Sequence, residues 1–275
     1  MTTTLPVSRP APPSALRIAR ARVALEVRLY FRERQQVVFG FAYPLVMLVI
    51  FAAVLGGDER PGGVPFTQYF LAGIAATGIM LTSFQAVGSA VATERESGSL
   101  ERLQLLGTPP LAYFAGKAGQ VLLTAALQLA LLLPLAHYAY DVPMPRDLAH
   151  WATFLWVAAL GAVSGTVLGI AASALPGSAT ATTTAITAFA IVLQFFSGVF
   201  FGFLELPGWM QQVAALFPLK WLTQGMRSAF LPDRAGGYEI AGSWEHGRTV
   251  LVLLSWVIIG VVVCVRTFRW RRTDR

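Results

Sequence analysis

The sequence predicts an all-α integral membrane protein with six transmembrane helices, and three features of its charge and hydropathy predict it. Only 13% of the 275 residues are charged, about half the ~25% usual in a soluble domain. The charges are also gathered, because 57 consecutive residues between Asp147 and Glu205 and 33 between Arg60 and Glu94 carry no Asp, Glu, Lys or Arg. A soluble fold has no means of covering such segments with a polar surface. Finally, the apolar stretches are continuous, whereas barrel strands alternate over about ten residues. A disordered chain is excluded by the 55% hydrophobic content.

Taken in order, residues 1–13 hold four prolines and read as a disordered tail. From 14 to 34, Leu16, Val23, Val27 and Tyr30 recur at helical spacing with arginines on the other faces. This pattern predicts an N-terminal amphipathic interfacial helix, whose arginines either fix topology or serve a coupling role. A hydrocarbon core about 30 Å thick needs roughly 20 apolar helical residues. Six stretches qualify, near 37–56, 66–91, 111–138, 148–175, 179–203 and 249–265. The fourth and fifth are joined by a tight Pro176-Gly177 turn. No secretory leader is expected, since the first 34 residues contain seven arginines and no apolar core.

An even number of spans puts both termini on one side. Fifteen of the 21 basic residues fall on that side: seven before span one, five after span six, and Arg95, Arg102 and Lys117 between spans two and three. By the positive-inside rule both termini are cytoplasmic. The net charge of +7 therefore reads as topology rather than as a nucleic-acid surface. The single cysteine, Cys264, allows no internal disulfide, and no Cys/His cluster offers a metal site.

The spans themselves exclude several chemistries. Ion-coupled carriers place ionisable residues within the membrane, and these six stretches hold only Lys117, His137 and His150, each near an end. Asp58, Asp141, Asp147 and Asp233 all fall in loops, and His137, His150 and His246 share no ligand spacing. No catalytic constellation is present, and a pathway lined by apolar, aromatic and hydroxyl side chains suits amphiphilic cargo. In span five, Thr180, Thr183, Thr184 and Thr187 share a helical face. That face, with Phe200 and Phe201 beyond it, serves helix packing, a dimer contact or a substrate path.

Between spans two and three lies a charged segment with an apolar stripe, from Glu94 to Pro110. Glu94, Arg95, Glu96 and Glu101 mix with Leu100, Leu103, Leu105 and Leu106, and Gly107 and Pro109 close the run. A short helix of this kind, held outside the bilayer, either docks into a groove on another protein or lies solvated at the interface. Between spans five and six, residues 205–248 stay apolar and aromatic in their first half. Pro207, Trp209, Pro218 and Trp221 mark either short re-entrant helices or an interfacial aromatic anchor.

These residues resemble the ABC-2 type permeases of ATP-driven exporters, including the daunorubicin-resistance permeases. The family's cytoplasmic Arg-Glu-x-Gly-Thr-Leu-Glu-x-Leu run is matched by Arg95-Glu96-Ser97-Gly98-Ser99-Leu100-Glu101-Arg102-Leu103, with Ser99 in place of threonine. Thr108-Pro109 and Gly116-Lys117 follow, and Ser197 to Phe201, Leu206 to Trp209 and Phe217-Pro218-Leu219 match further on. Phe217 stands where the family usually has asparagine, and Gly202 where it has proline. The resemblance implies a permease domain over 35–275, in the inner membrane of a bacterium. It implies a second permease copy, in a homodimer or heterodimer, and two copies of a separate ATP-binding subunit that would hold ATP and Mg. Glu94, Arg95, Glu96, Gly98, Leu100, Glu101 and Leu103 would then belong to a coupling helix seated on that ATPase, beside a connecting helix at 14–34. The 205–248 segment would be a lid over the exit path. The chain has no nucleotide site of its own by sequence: a phosphate loop on Gly116-Lys117 would need glycine at Leu111 and a hydroxyl at Ala118. A self-standing channel or secondary carrier is the alternative. Drug, lipid and lipid-linked glycan are all admissible cargo.

Overall fold

A computed structural model of the chain describes residues 14–60, 62–175 and 177–267. The proline-rich tail, Pro176 and the arginines beyond Thr267 lie outside the described residues. Helix α1 (Ala15–Arg32) starts where the Ser14 hydroxyl accepts the Arg17 N–H. It packs along α6 (Pro110–Tyr140), and its buried stripe is Arg22, Glu26 and Tyr30, with Val23 and Val27 half-buried beside it. Leu16 is exposed. The apolar stripe read from the sequence is therefore displaced by a partly charged one, whose Arg22 and Glu26 pair with each other, Glu26 also with Lys117 of α6.

Among the described residues, six helices are long and apolar enough to cross a membrane. Span one is α2 (Arg34–Leu55), which tolerates Pro44 in its interior. A two-residue ladder, β1 (Glu59–Arg60) with β2 (Val64–Pro65), turns the chain into span two. Span two is one continuous rod of 31 residues built from α3 (Phe66–Met80), a π-helical turn (Leu81–Ala86) and α4 (Val87–Glu96). At ~1.5 Å per residue it is about 47 Å long, well beyond a ~30 Å hydrocarbon core. Its last turn, which the sequence reading assigned to the following loop, therefore projects past the bilayer on the α1 side, here called the near face. Span three is α6. Span four is α7 (Leu148–Ala172), opened by the Asp147 side chain accepting the His150 N–H at 2.9 Å. That backbone bond, with the His150 ring, holds the Asp147 carboxyl below its ordinary range. Span five is α8 (Ala179–Phe196). It ends at Ser197 and Gly198, whose φ of 69° continues no helix, so it stops seven residues short of the predicted 203. Span six is α11 (His246–Thr267).

Span two is the axis of the molecule, and 83% of its most apolar window is buried. Close approach to span four depends on Gly165 and Gly169, one turn apart on α7. A Cβ on Gly165 would lie 2.0 Å from Ser83 Oγ, and one on Gly169 would lie 2.5 Å from the Phe84 carbonyl oxygen. Small residues at four-residue spacing let helices touch backbone to backbone in lipid. The π turn sits at that contact. Its hydroxyls bond back to the carbonyls of the turn before it: Thr82 donates to Gly78 and Ile79, and Ser83 donates to Ile79. Between spans five and six the chain folds back as α9 (Gly208–Ala215) and α10 (Pro218–Phe230). All thirteen residues of α10 are buried, packed among α3, α7 and α11. The short helix α5 (Ser99–Leu105) lies between spans two and three.

Candidate coupling site

Three consecutive residues end span two, and each reaches a different neighbour. On a helix successive side chains are turned by about 100°, so a run of three sweeps most of the circumference. Glu94 accepts from Tyr113 at 2.7 Å and pairs with Lys117 at 2.5 Å, both on span three. Arg95 donates to the Ser173 carbonyl, with its second nitrogen 3.3 Å from the Ser173 hydroxyl, at the end of span four. Glu96 accepts the Ala179 N–H at 3.0 Å, at the first turn of span five. A carboxylate there satisfies an orphan donor and faces the positive end of the helix dipole. The tip of span two is thus tied to spans three, four and five.

The connecting helix α1 joins the same cluster. Lys117 Nζ lies 2.8 Å from Glu26 Oε2, and Glu26 also pairs with Arg22 one turn back. The Arg22 guanidinium lies 5.2 Å from the centre of the Tyr113 ring. Two cations and two anions balance, which is the condition for burying charge at all. Contact this close requires Gly116 and Gly119 on α6: a Cβ on either would stand within 2.6 Å of the Arg22 or Val23 side chain.

Beyond Glu96 the chain turns at Gly98, whose φ of 72° is left-handed, and starts α5. Leu100 is fully buried against the domain, and Glu101 and Leu103 are half-buried. Leu105 and Leu106, by contrast, are 78% and 80% exposed. Gly107, with φ of 70°, reverses the chain into span three. Of the seven residues expected at a coupling helix, Glu94, Arg95 and Glu96 contact the membrane domain, while Gly98, Leu100, Glu101 and Leu103 shape the helix that carries the two exposed leucines.

The threonine face on α8 divides. Thr180 and Thr184 are exposed and Thr184 donates to the Thr180 carbonyl, whereas Thr183 and Thr187 are half-buried. Thr187 accepts from Gln85 of the π turn at 3.0 Å. Phe200 packs on Phe51 and Phe70, and Phe201 is half exposed.

At the far face, Pro207 and Trp209 are exposed on the descending limb of the re-entrant pair, while Pro218 and Trp221 are buried. The ascending α10 buries two cations. Lys220 donates to Gln224 and its Nζ stands 3.7 Å from the Trp221 ring centre. Arg227 donates to the Gly198 carbonyl, pairs with Glu239 at 3.2 Å, and lies 4.0 Å from the Tyr69 ring centre. One guanidinium therefore ties α10 to the end of span five, the start of span two and the following loop. Among the described residues, no group of three or more His, Cys, Asp or Glu is placed to hold a metal ion.

The family model for ABC-2 family transporter proteins matches residues 58–266. The chain belongs to the ABC-2 transporter family. Two curated relatives are the probable multidrug ABC transporter permeases YbhR of Escherichia coli K12 and of Escherichia coli O157:H7. Each is 24% identical over 163 residues, which is 59% of this chain. The match covers 42% of each relative, so the chain spans less than half the length of the curated relatives it matches. This ABC-2 chain is an all-α, multi-pass membrane protein.

Sequence reasoning missed Glu26 and Tyr113, and it took Lys117 only as a topology-setting charge and as part of a motif. The Gly116-x-x-Gly119 spacing was the available signal, because paired glycines on one helix face announce a close neighbour. The Gly161, Gly165, Gly169 ladder was a second, and Lys220, Arg227 and Glu239 a third.

Proposed function

We propose that this chain is the membrane-spanning permease subunit of an ATP-binding-cassette exporter. It moves a hydrophobic or amphiphilic cargo, such as a drug, a lipid or a lipid-linked glycan, out across a bacterial plasma membrane, with both termini cytoplasmic. It works beside a second permease copy, on two separately encoded ATP-binding subunits that hold ATP and Mg. The observation that carries this reading is the hub at the end of span two, directly behind the exposed Leu105 and Leu106.

The leucine pair is the docking tip, entering an apolar groove on the ATP-binding subunit. A push on α5 reaches Gly98 and then Glu94, Arg95 and Glu96, whose partners are spans three, four and five. Through Lys117 and Glu26 the same push reaches α1. Ions inside the hub resist separation because parting them leaves buried charge unpaired, so the ends of these helices move together. The relatives' name, probable multidrug ABC transporter permease, supports an amphiphilic cargo.

The test is co-expression with an ATP-binding subunit encoded beside this chain. Replacing Leu105 and Leu106 by Asp should leave membrane insertion intact and abolish co-isolation of that subunit. Lys117→Met should keep co-isolation and lose cargo-stimulated ATP hydrolysis. If no ATP-binding subunit co-isolates and the chain alone carries solute into liposomes, the channel or secondary-carrier reading replaces this one.

A further inference from the structure

A cavity of about 430 Å³ lies between spans two, four, five and six, open on one side. Its volume falls within the roughly 300–1,000 Å³ of small-molecule sites. Its lining is apolar throughout: Met, Phe, Leu, Ile, Val, Ala and Pro side chains and one tryptophan. The one polar atom of those side chains, Trp256 Nε1, already donates to the Leu216 carbonyl at 2.7 Å. The cavity therefore offers no side-chain group to water, an ion or a polar head.

Its shape follows the helices. On span four and the turn that follows it the lining runs from Leu168 to Leu175, and on span six from Trp256 to Val263. Seven residues of helix are about 10 Å, so the slot extends along the spans as a lipid chain does. It reaches toward the near face, where Leu175 is half exposed. At the other end it is capped by the turn of the re-entrant pair. There Phe217 lies edge-on to Phe189, with centroids 5.4 Å apart, and stacks with Trp256 at 6.2 Å. The flanking spans five and six are the least enclosed of the helices bordering the slot, with 28% and 22% of their apolar windows buried.

We propose that this slot binds one acyl chain of a membrane phospholipid from the near-face leaflet, seated beneath the re-entrant turn. A specific drug site needs a few placed polar groups to fix orientation, and this lining has none to give. Burial from water is not the driving force, because hydrocarbon surrounds the protein on that side. An empty slot would forfeit dispersion contacts along its whole wall, and a chain from the adjoining leaflet restores them. The occupant thus wedges between the π turn of span two and the Phe217–Trp256 cap, and it holds the re-entrant turn from below. This inference rests on the membrane-spanning fold and not on the exporter reading, so its failure would leave that reading untouched.

The test uses full-length protein in phosphatidylethanolamine–phosphatidylglycerol vesicles containing a trace of phosphatidylcholine with a diazirine in mid-chain. After irradiation, labelled peptides are located by mass spectrometry. Label should concentrate on the lining residues Leu168, Ala172 and Phe189, above that on the outward-facing Leu251 and Ile258 of span six. Filling the slot with Ala172→Phe or Ala185→Phe should lower lining label by about fivefold to tenfold, equivalent to about 1–1.4 kcal/mol. Leu254→Phe, on the exposed face, should leave it unchanged. Label confined to the outward residues, or unaffected by filling the slot in a monodisperse variant, overturns the proposal. If the filled variants fail to fold, the distribution on the wild-type protein decides alone.

Discussion

Lys117→Met isolates the energetics of the hub. The substitution keeps the length of the side chain and removes one ammonium that touches Glu26 at 2.8 Å and Glu94 at 2.5 Å. The side chains of Lys117 and Glu26 are each only 4% exposed, and that of Glu94 is 21% exposed. Removing one partner of a buried pair costs about 3–5 kcal/mol, because the other charge stays buried without compensation. Here Glu26 keeps Arg22 and Glu94 keeps the Tyr113 hydroxyl, which places the expected cost at the lower end, about 3 kcal/mol. At roughly 2 °C per kcal/mol for a chain of this length, the midpoint of thermal unfolding should fall by about 6 °C. The assay is thermal unfolding of the purified protein in detergent, followed by tryptophan fluorescence. The diagnostic step is the quadruple variant Arg22→Met, Glu26→Gln, Glu94→Gln, Lys117→Met, which also removes the Arg22 cation that Glu26 pairs with. Neutralising the whole set removes the unpaired charge and should restore most of the loss, since apolar replacement of an entire buried ion set is often neutral. A Lys117→Met shift below about 1 °C, or a quadruple variant no more stable than the single, would refute the view that these charges are buried and interdependent.

Other positions yield predictions of the same kind. Gly165→Ala would put a methyl group 2.0 Å from Ser83 Oγ; overpacking of this kind should cost about 1–3 kcal/mol, read as a lower unfolding midpoint, and Ser83→Ala in the same chain should recover part of it. Arg227→Lys preserves charge but not the fork that reaches both Gly198 and Glu239. It should loosen the re-entrant pair, seen as faster proteolysis of the 203–245 segment in the folded protein, and Glu239→Gln alone should do the same.

The six spans were legible because an apolar run of about 20 residues has few other uses in a folded chain. Their ends were less so. The last turn of span two carries Glu94, Arg95 and Glu96, and charge at a helix end reads as loop unless the helix is known to outrun the bilayer. The end of span five was set by the left-handed Gly198, whereas the apolar run continues to Phe203 without a break in composition. The direction of each charge was not legible at all. Spacing gives the angle between neighbouring side chains but not the rotation of the helix about its axis. Glu94, Arg95 and Glu96 read as an outward docking surface, although their partners are Lys117, Ser173 and Ala179. The same ambiguity placed a purely apolar stripe on α1, where the stripe that meets Gly116 and Gly119 includes Arg22 and Glu26.

The scarcity of charge acquires a physical meaning once the buried ions are located. Arg22, Glu26, Lys117 and the half-buried Glu94 form one layer at the near face, and Lys220, Arg227 and Glu239 form another toward the far face. Between them the buried polar groups are hydroxyls and amides, such as Thr77, Ser83, Thr124, Gln128 and Thr166. Four of these five satisfy themselves against backbone carbonyls. A charge in that middle zone would need a partner across hydrocarbon, whereas hydroxyls on a helix need only the turn behind them. Two rigid ionic layers are thus separated by a soft, apolar interval, and span two is the helix that touches both. At one end its tip holds Lys117, Ser173 and Ala179, and at the other Gln68 donates to the Phe230 carbonyl of α10 at 2.7 Å. Its π turn lies between them, fixed to span four by the absence of side chains on Gly165 and Gly169. Displacement of one ionic layer relative to the other must therefore pass through this rod or break the glycine contact.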